Sequence, residues 1–411
     1  MWFEFFITKK IIHNKERSFS RLIIAIARVA VALSLSVMII STSLVNGFRA
    51  TISDKVYGFW GHINIAKQSL RNSFDDEPIY RVPEFVEQVG KIDGVTSVQV
   101  YARKAAIIKT KTDIEGIIMK GIGSDFDWQQ LDKYIIEGDP IDLTQTDVSR
   151  GSLISKSTAD RLGFVVGDSI LLHIIDQKEN GDYEQMYRKL RVNGIYNTGL
   201  EEFDKLFVLV DIRHIQRLNN WSQDQIGGYE VFIDDPEKIA AIEPIVDKKA
   251  DPFWDVQTIQ QIIPSVFDWL NLQKVNEWII LTLMVLVALI NMVTSLLILI
   301  LERTNMIGIL KALGANNFSI RKIFLLNAAN IILKGMLWGN IIGIGLCLLQ
   351  LQFGLIKLPE ASYYVKVAPV QINVIWVLLL NAGTFVISIL FLLIPSLFVA
   401  KIRPIKAIRF N

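Results

Sequence analysis

Long apolar runs punctuate this chain at uneven intervals. Four of them reach the length of about 20 residues that a helix needs to cross a bilayer. They run from about Leu22 to Val45, from Trp278 to Leu301, from about Ile331 to Leu355, and from Val374 to Ile394. Between the first and second lies a long stretch of mixed polar and apolar sequence, about Asn46 to Asn276. Alternating and β-branched runs there predict strands at His62–Ala66, Val95–Lys109, Ile114–Gly121, Ser169–Ile175, Leu190–Tyr196 and Phe207–Val210. Helical spacing predicts helices at Pro83–Val89, Ser157–Leu162 and Arg213–Asn219, and another at Ile259–Leu270 leading into the second run. The expected fold is an α-helical membrane protein with four transmembrane helices and a large α+β extracytoplasmic domain inserted between spans 1 and 2.

The resulting partition is an interfacial N-terminal helix over 1–21, span 1 over 22–45 and an external domain over 46–277. Span 2 follows over 278–301, a cytoplasmic coupling segment over 302–322 and span 3 over 323–355. A short external loop over 356–373, span 4 over 374–400 and a cytoplasmic tail over 401–411 complete it. The first run is too long for a cleavable signal peptide and is followed by no small-residue cleavage site. Trp2, Phe3, Phe5 and Phe6, interleaved with Lys9 and Lys10, read as a helix lying in the membrane interface.

Flanking charge sets the orientation. Lys9, Lys10, Lys15, Arg17 and Arg21 precede span 1; Arg303, Lys311, Arg321 and Lys322 join spans 2 and 3; Lys401, Arg403, Lys406 and Arg409 form the tail. The connection after span 3 has only Lys357 and Lys366 against Glu360. The three basic regions fall on one side of four spans, which places both termini in the cytoplasm. Arg28 near the basic end of span 1 reads as a snorkelling cation. Gly335, Gly339 and Gly343 form a small-xxx-small series suited to close helix packing, and Asn291, Asn340 and Asn381 read as interhelical hydrogen-bonding groups.

Composition narrows the chemistry. The chain is 51% hydrophobic with a net charge of only +2, which lacks the concentrated basic surface that nucleic acid requires. The lone Cys347 offers neither a disulfide framework nor a thiolate metal site. No GxxxxGK[ST], HExxH, GxSxG or CxxC pattern occurs, and His13, His62, His173 and His214 are scattered. No catalytic residue, metal site or cofactor is expected. The acidic runs Asp75-Asp76-Glu77 and Glu201-Glu202 with Asp204 read as solvated turns. Asn180-Gly181 marks a hairpin turn between strand-like runs. Its tip presents Asp182, Tyr183 and Met186 as a candidate docking surface for a partner, against the plainer reading of a solvated loop.

Directly after span 2 comes ERTNMIGILKALGA, Glu302 to Ala315. Ile307, Ile309, Leu310 and Leu313 fall mainly on one helical face, and Gly314 suits a helix C-terminus. This segment resembles the coupling helix of the FtsX-like, MacB-type ABC transporter permeases. The tail VAKIRPIKAIRF, with Ala400, Pro404, Ala407 and Arg409, resembles that family's closing motif. VNGFRATISDKVYGFWGHINI, GIYNTGLEEFDKLFVLVDI and NEWIILTLMVLVALINMVTSLLILILERTNMIGILKALGA are similar to stretches of the lipoprotein-releasing branch.

The resemblance implies a permease subunit paired with a second permease, identical or paralogous, and with a dimer of separate ATPase subunits. Arg303, Met306, Ile307, Leu310, Leu313 and Gly314 would couple to the ATPase. Val37, Ile40, Leu44, Leu281, Val285 and Leu289 would offer apolar surface to a lipoprotein's acyl chains before its release to a periplasmic carrier. The hairpin matching the branch's carrier hook carries no proline at its tip. Two other functions stay open on sequence alone: a MacB-type exporter of amphiphiles or peptides, and an FtsX-like signal transmitter acting on cell-wall hydrolases.

Overall fold

The computed structural model describes residues 19–68, 75–111, 113–177 and 183–401. The expected interfacial helix before residue 19, the tail beyond Lys401 and Asp182 lie outside the described residues. The chain forms two compact units. One holds the residues up to Ala50, Trp269–Lys357 and those from Val367 onward; the other holds Thr51–Asp268 and Leu358–Lys366.

The first unit is helical. Its elements are α1 (Phe19–Trp60, whose last turns belong to the second unit), α2 (Pro264–Glu302, whose first turn belongs to the second unit), α3 (Thr304–Ala312), α4 (Asn317–Phe353) and α5 (Val374–Ser396). Helices α1, α2, α4 and α5 are each long and apolar enough to cross a membrane. Their shared core is built from Val31 and Leu35 of α1, Met292 and Leu296 of α2, Ile323 and Phe324 of α4, and Leu392 of α5. The glycine series of α4 packs on α1: a Cβ at Gly335 would lie 2.9 Å from Val31, and one at Gly339 2.9 Å from the Ala32 carbonyl oxygen. Ser36 Oγ donates to the Gly339 carbonyl at 3.0 Å across the same seam. Close approach of backbones is what small residues permit at a membrane helix interface.

Three boundaries differ from the sequence expectation. Helix α1 does not end near Val45 but continues to Trp60, because Ile52, Val56, Phe59 and Trp60 keep one helical face apolar and buried. Helix α4 begins at Asn317, ahead of the expected residue 323, capped by Asn316, whose side chain accepts from the Ser319 N–H at 2.7 Å. The expected helix Ile259–Leu270 is interrupted. Ile263 adopts φ −126°, ψ 65° between a short helix Ile259–Ile262 and Pro264, since the residue before proline is driven out of the helical region.

The second unit is an α/β domain inserted between the first and second apolar helices. Ten strands make its main sheet: β1 (Ile63–Lys67), β2 (Val95–Lys109), β3 (Ile114–Ile122), β4 (Ile135–Gly138), β5 (Gly151–Ser155), β6 (Ser169–Gln177), β7 (Tyr183–Tyr196), β8 (Phe207–Asp211), β9 (Gly228–Ile233) and β10 (Trp254–Thr258). Their order is β10-β1-β9-β2-β3-β8-β5-β7-β4, with β6 paired to β2 and β7. The long strand Val95–Lys109 and the helices at Pro83–Gly90, Lys156–Leu162 and Ile212–Leu218 stand at or within a residue of their expected places. Strands β4, β5, β9 and β10 were not expected. Every residue of β9 is buried, so it has no polar face and no period-two alternation to read.

Candidate functional site

The residues singled out by the sequence fall in four places, beginning with the turn between α2 and α4. The Arg303 N–H donates to the Leu299 carbonyl at 3.2 Å, so the chain bends at Arg303 without losing hydrogen bonding before α3 starts. At the other end Gly314 takes φ +91°. Its N–H donates to Lys311 O at 3.0 Å, and the Ala315 N–H donates to Leu310 O at 2.9 Å. That pair of bonds is a Schellman closure, which requires the left-handed residue that glycine supplies. Lys311 Nζ reaches the Val399 carbonyl at 2.8 Å.

The expected apolar stripe of α3 splits in two. Ile307 and Leu310 are buried in the bundle core, and Met306 packs against it. Ile309 and Leu313 are exposed at 49% and 79%. They continue from exposed Asn305 at four-residue spacing, and Phe318 at the start of α4 is exposed at 71%. Ile307 and Leu310 therefore support the helix, while Asn305, Ile309, Leu313 and Phe318 form the free surface. Asn305 and Phe318 of this exposed surface were not singled out from the sequence; the spacing 305, 309, 313 was the available signal for Asn305.

On the apolar helices, Val37, Ile40 and Leu44 are half-buried. Leu281 and Val285 are partly buried and lie against the bundle core. Leu289 is only 5% exposed, so this side chain faces the helix bundle and not a free apolar surface.

The hairpin β6–β7 pairs Ser169 with Arg191 through Gln177 with Tyr183. Asp182 lies outside the described residues, and of Tyr183 only the backbone is described. Met186 pairs with the fully buried Ile174, so it sits on the inward face, contrary to its assignment at a projecting tip. The outward face carries Leu171, His173 and Ile175 opposite Lys189, Tyr187 and Gln185. His173 and Tyr187 meet edge to face at 4.8 Å. Counting by twos from Lys189 separates Tyr187 from Met186.

One carboxylate of each acidic run, Asp76 and Asp204, is a structural clamp and not part of a solvated turn. The Arg103 guanidinium donates to Asp76 at 2.7 Å from Nη2, and the Arg103 backbone N–H donates to the same carboxylate at 2.6 Å. Asp204 is buried and accepts from Thr198 Oγ1 at 2.6 Å, the Thr198 N–H at 3.1 Å and the Gly199 N–H at 3.0 Å. Burial pushes its carboxyl up to about 6, against those three bonds and the nearby Lys55.

The C-terminal turn of α1 is fastened within the domain. Lys120 of β3 donates to the Phe59 carbonyl and pairs with Glu230 of β9 at 2.7 Å. Its ammonium lies 4.7 Å from the Phe59 ring centroid and 5.5 Å from that of Trp60. Burial drives Lys120 down and Glu230 up, and the ion pair opposes both shifts. A cation against the carbonyl end of a helix also complements its dipole. Asn64 Nδ2 donates to the Trp60 carbonyl at 2.9 Å. Among the described residues no group of three or more His, Cys, Asp or Glu is arranged to hold a metal ion.

The MacB-like periplasmic core domain matches residues 24–249 of this chain, and the FtsX-like permease C-terminal domain matches residues 278–404. The lipoprotein-releasing system transmembrane protein LolC of Haemophilus influenzae is 22% identical over 395 residues, covering 96% of this chain and 95% of its own. LolE of the same organism and system is 22% identical over 423 residues, covering 98% of each chain. The LolC protein of Neisseria meningitidis is 24% identical over 416 residues, covering 97% of this chain and 96% of its own.

Proposed function

Because this chain belongs to the family of FtsX-like permeases with a MacB-like periplasmic core domain, we propose that it is the membrane subunit of an ABC transporter that releases lipoproteins from the inner membrane toward a periplasmic carrier. Relatives named for lipoprotein release match nearly its whole length. The structural observation that carries the reading is α3, a short helix between two apolar helices that offers Ile309 and Leu313 to a partner while Ile307 and Leu310 bind it to the bundle.

In this mechanism ATP is hydrolysed by separate subunits, in keeping with the missing P-loop sequence. Their closure pushes on Asn305, Ile309, Leu313 and Phe318, while Arg303 and Gly314 fix the two ends of α3. Helix α2 carries the displacement toward the domain, since it is one element from Pro264 to Glu302. A second permease subunit completes the pathway. Val37, Ile40, Leu44, Leu281 and Val285 offer aliphatic surface to acyl chains, and the hairpin end near Asp182 and Tyr183 meets the carrier. Both termini lie in the cytoplasm, as the basic flanks require.

The test is reconstitution of the chain with every protein that co-purifies from its native membrane. The expected result is ATP-dependent transfer of a triacylated protein from the vesicle to a soluble carrier. A complex that hydrolyses ATP yet leaves the acylated protein in the membrane, with carrier present, overturns the reading.

A further inference from the structure

The segment Leu358–Lys366 connects α4 to α5 along the chain, yet it belongs to the domain. It closes on itself through Leu358 N–H to Lys366 O at 2.9 Å and Tyr364 N–H to Glu360 O at 2.8 Å. Tyr364 stands in the left-handed region at φ 60°, a strained conformation for a residue other than glycine. Its carbonyl accepts from Lys55 Nζ at 2.7 Å, and Lys55 lies on the last turns of α1.

A third element closes over this contact. Gly199 takes φ +75°, and a Cβ there would lie 2.7 Å from Lys55 Nζ, 2.7 Å from Glu360 Oε1 and 3.0 Å from Tyr364 O. Glycine is needed for its backbone conformation, and a methyl there would also crowd the Tyr364 carbonyl and displace the ends of the Lys55 and Glu360 side chains. Asp204 holds Gly199 in place by accepting its N–H, and Lys366 pairs with Glu360 at 3.5 Å.

We propose that Lys55 and Gly199 form a latch holding the α4–α5 connection in the external domain. The chain then passes between the two units four times, after Ala50, Asp268, Lys357 and Lys366. Two of these links depend on the latch. Domain movement would act on α4 and α5 as well as on α1 and α2; that mechanical meaning rests on the permease reading, but the latch itself does not.

Hydrogen exchange on the full chain in lipid nanodiscs, with its ATPase partner bound, tests it. Lys55→Met removes the donor, and Gly199→Ala strains the left-handed backbone and crowds Lys55 Nζ and the Tyr364 carbonyl from the opposite side. In both variants the Leu358 and Tyr364 amides are expected to exchange about tenfold faster, as the segment opens without global unfolding. Peptides covering β9 should keep their protection, which certifies a folded domain. Lys366→Met removes only an exposed ion pair and should leave the segment protected. Unchanged protection of Leu358–Lys366 in both latch variants, with β9 intact, overturns the proposal. In the transport assay, ATP hydrolysis that persists in Lys55→Met while release falls supports the mechanical role, whereas release unchanged with the segment open overturns it. Wild type that hydrolyses ATP without release counts against the permease reading alone, because the exchange result does not depend on it.

Discussion

Asn340 of α4 and Asn381 of α5 exchange hydrogen bonds through both side-chain amides. Asn340 Nδ2 donates to Asn381 Oδ1 at 2.7 Å, and Asn381 Nδ2 returns a bond to Asn340 Oδ1 at 2.9 Å. The second N–H of each amide goes to the carbonyl four residues earlier, Met336 and Val377, at 2.8 Å. Every donor of the pair is thereby used inside an apolar bundle. The exchange also fixes the rotation of one helix against the other, since neither amide can turn without breaking bonds at both ends.

The pair is expected to behave as a unit. Asn340→Leu or Asn381→Leu alone strands the partner amide and should cost about 1–2 kcal/mol. The double substitution removes both polar groups and should cost less than the sum of the singles. A double-mutant cycle on unfolding in mixed micelles reads the coupling directly. Strict additivity would show that the two amides do not support each other.

The split face of α3 separates two substitutions that look alike in sequence. Leu313→Asp places a charge on a surface already 79% exposed. It should abolish ATPase co-purification while leaving the permease's unfolding midpoint near that of wild type. Leu310→Asp places the charge in the bundle core, and it should lower stability by several kcal/mol before any effect on docking can be read. ATPase retained at wild-type levels by both Leu313→Asp and Ile309→Asp would move the docking surface elsewhere.

Much of this arrangement was legible because it follows from local pattern. The four apolar runs, the Gly335/Gly339/Gly343 series and the helix end at Gly314 are each fixed by spacing on a single element, and Asn340 and Asn381 stand out as polar residues within apolar runs. The clamps were not legible. Asp76 reads as surface until Arg103, remote in sequence, is folded onto it. Asp204 bonds to the nearby Thr198 and Gly199, but its burial comes from packing that composition does not record. Met186 was misplaced for another reason: a strand has two faces, and only the pairing with Ile174 fixes which one is buried.

The glycine seam gives a test with an internal control. Gly345 has open space where a Cβ would stand, whereas Gly339 has the Ala32 carbonyl oxygen at 2.9 Å. Gly345→Ala should therefore gain the ordinary helical advantage of alanine, about 0.5–1 kcal/mol. Gly339→Ala should lose about 1–3 kcal/mol as α1 and α4 are pushed apart. Thermal unfolding of the purified permease ranks them. Equal midpoints would mean that the seam yields without cost.

His62 sets a pH dependence within the domain. Its Nδ1 accepts the Ile233 backbone N–H at 3.1 Å, and its ring stacks on Tyr57 with centroids 4.2 Å apart. An accepting nitrogen must be unprotonated, and burial draws the imidazole from 6.5 down to about 4. The unfolded chain takes up this proton first. The contribution of His62 to stability is thus full above pH 6.5 and declines as pH falls toward 4, by up to about 3 kcal/mol. Asp204 acts in the opposite sense across much of the same range. Its folded carboxyl is raised to about 6 from 3.8, so acid favours the fold there. The informative quantity is the difference between wild type and His62→Gln, in which the Asp204 contribution cancels and a neutral acceptor remains for Ile233. That difference should shift steadily against wild type on acidification. A flat difference between pH 6.5 and 4 would mean that His62 is free to protonate in the folded domain.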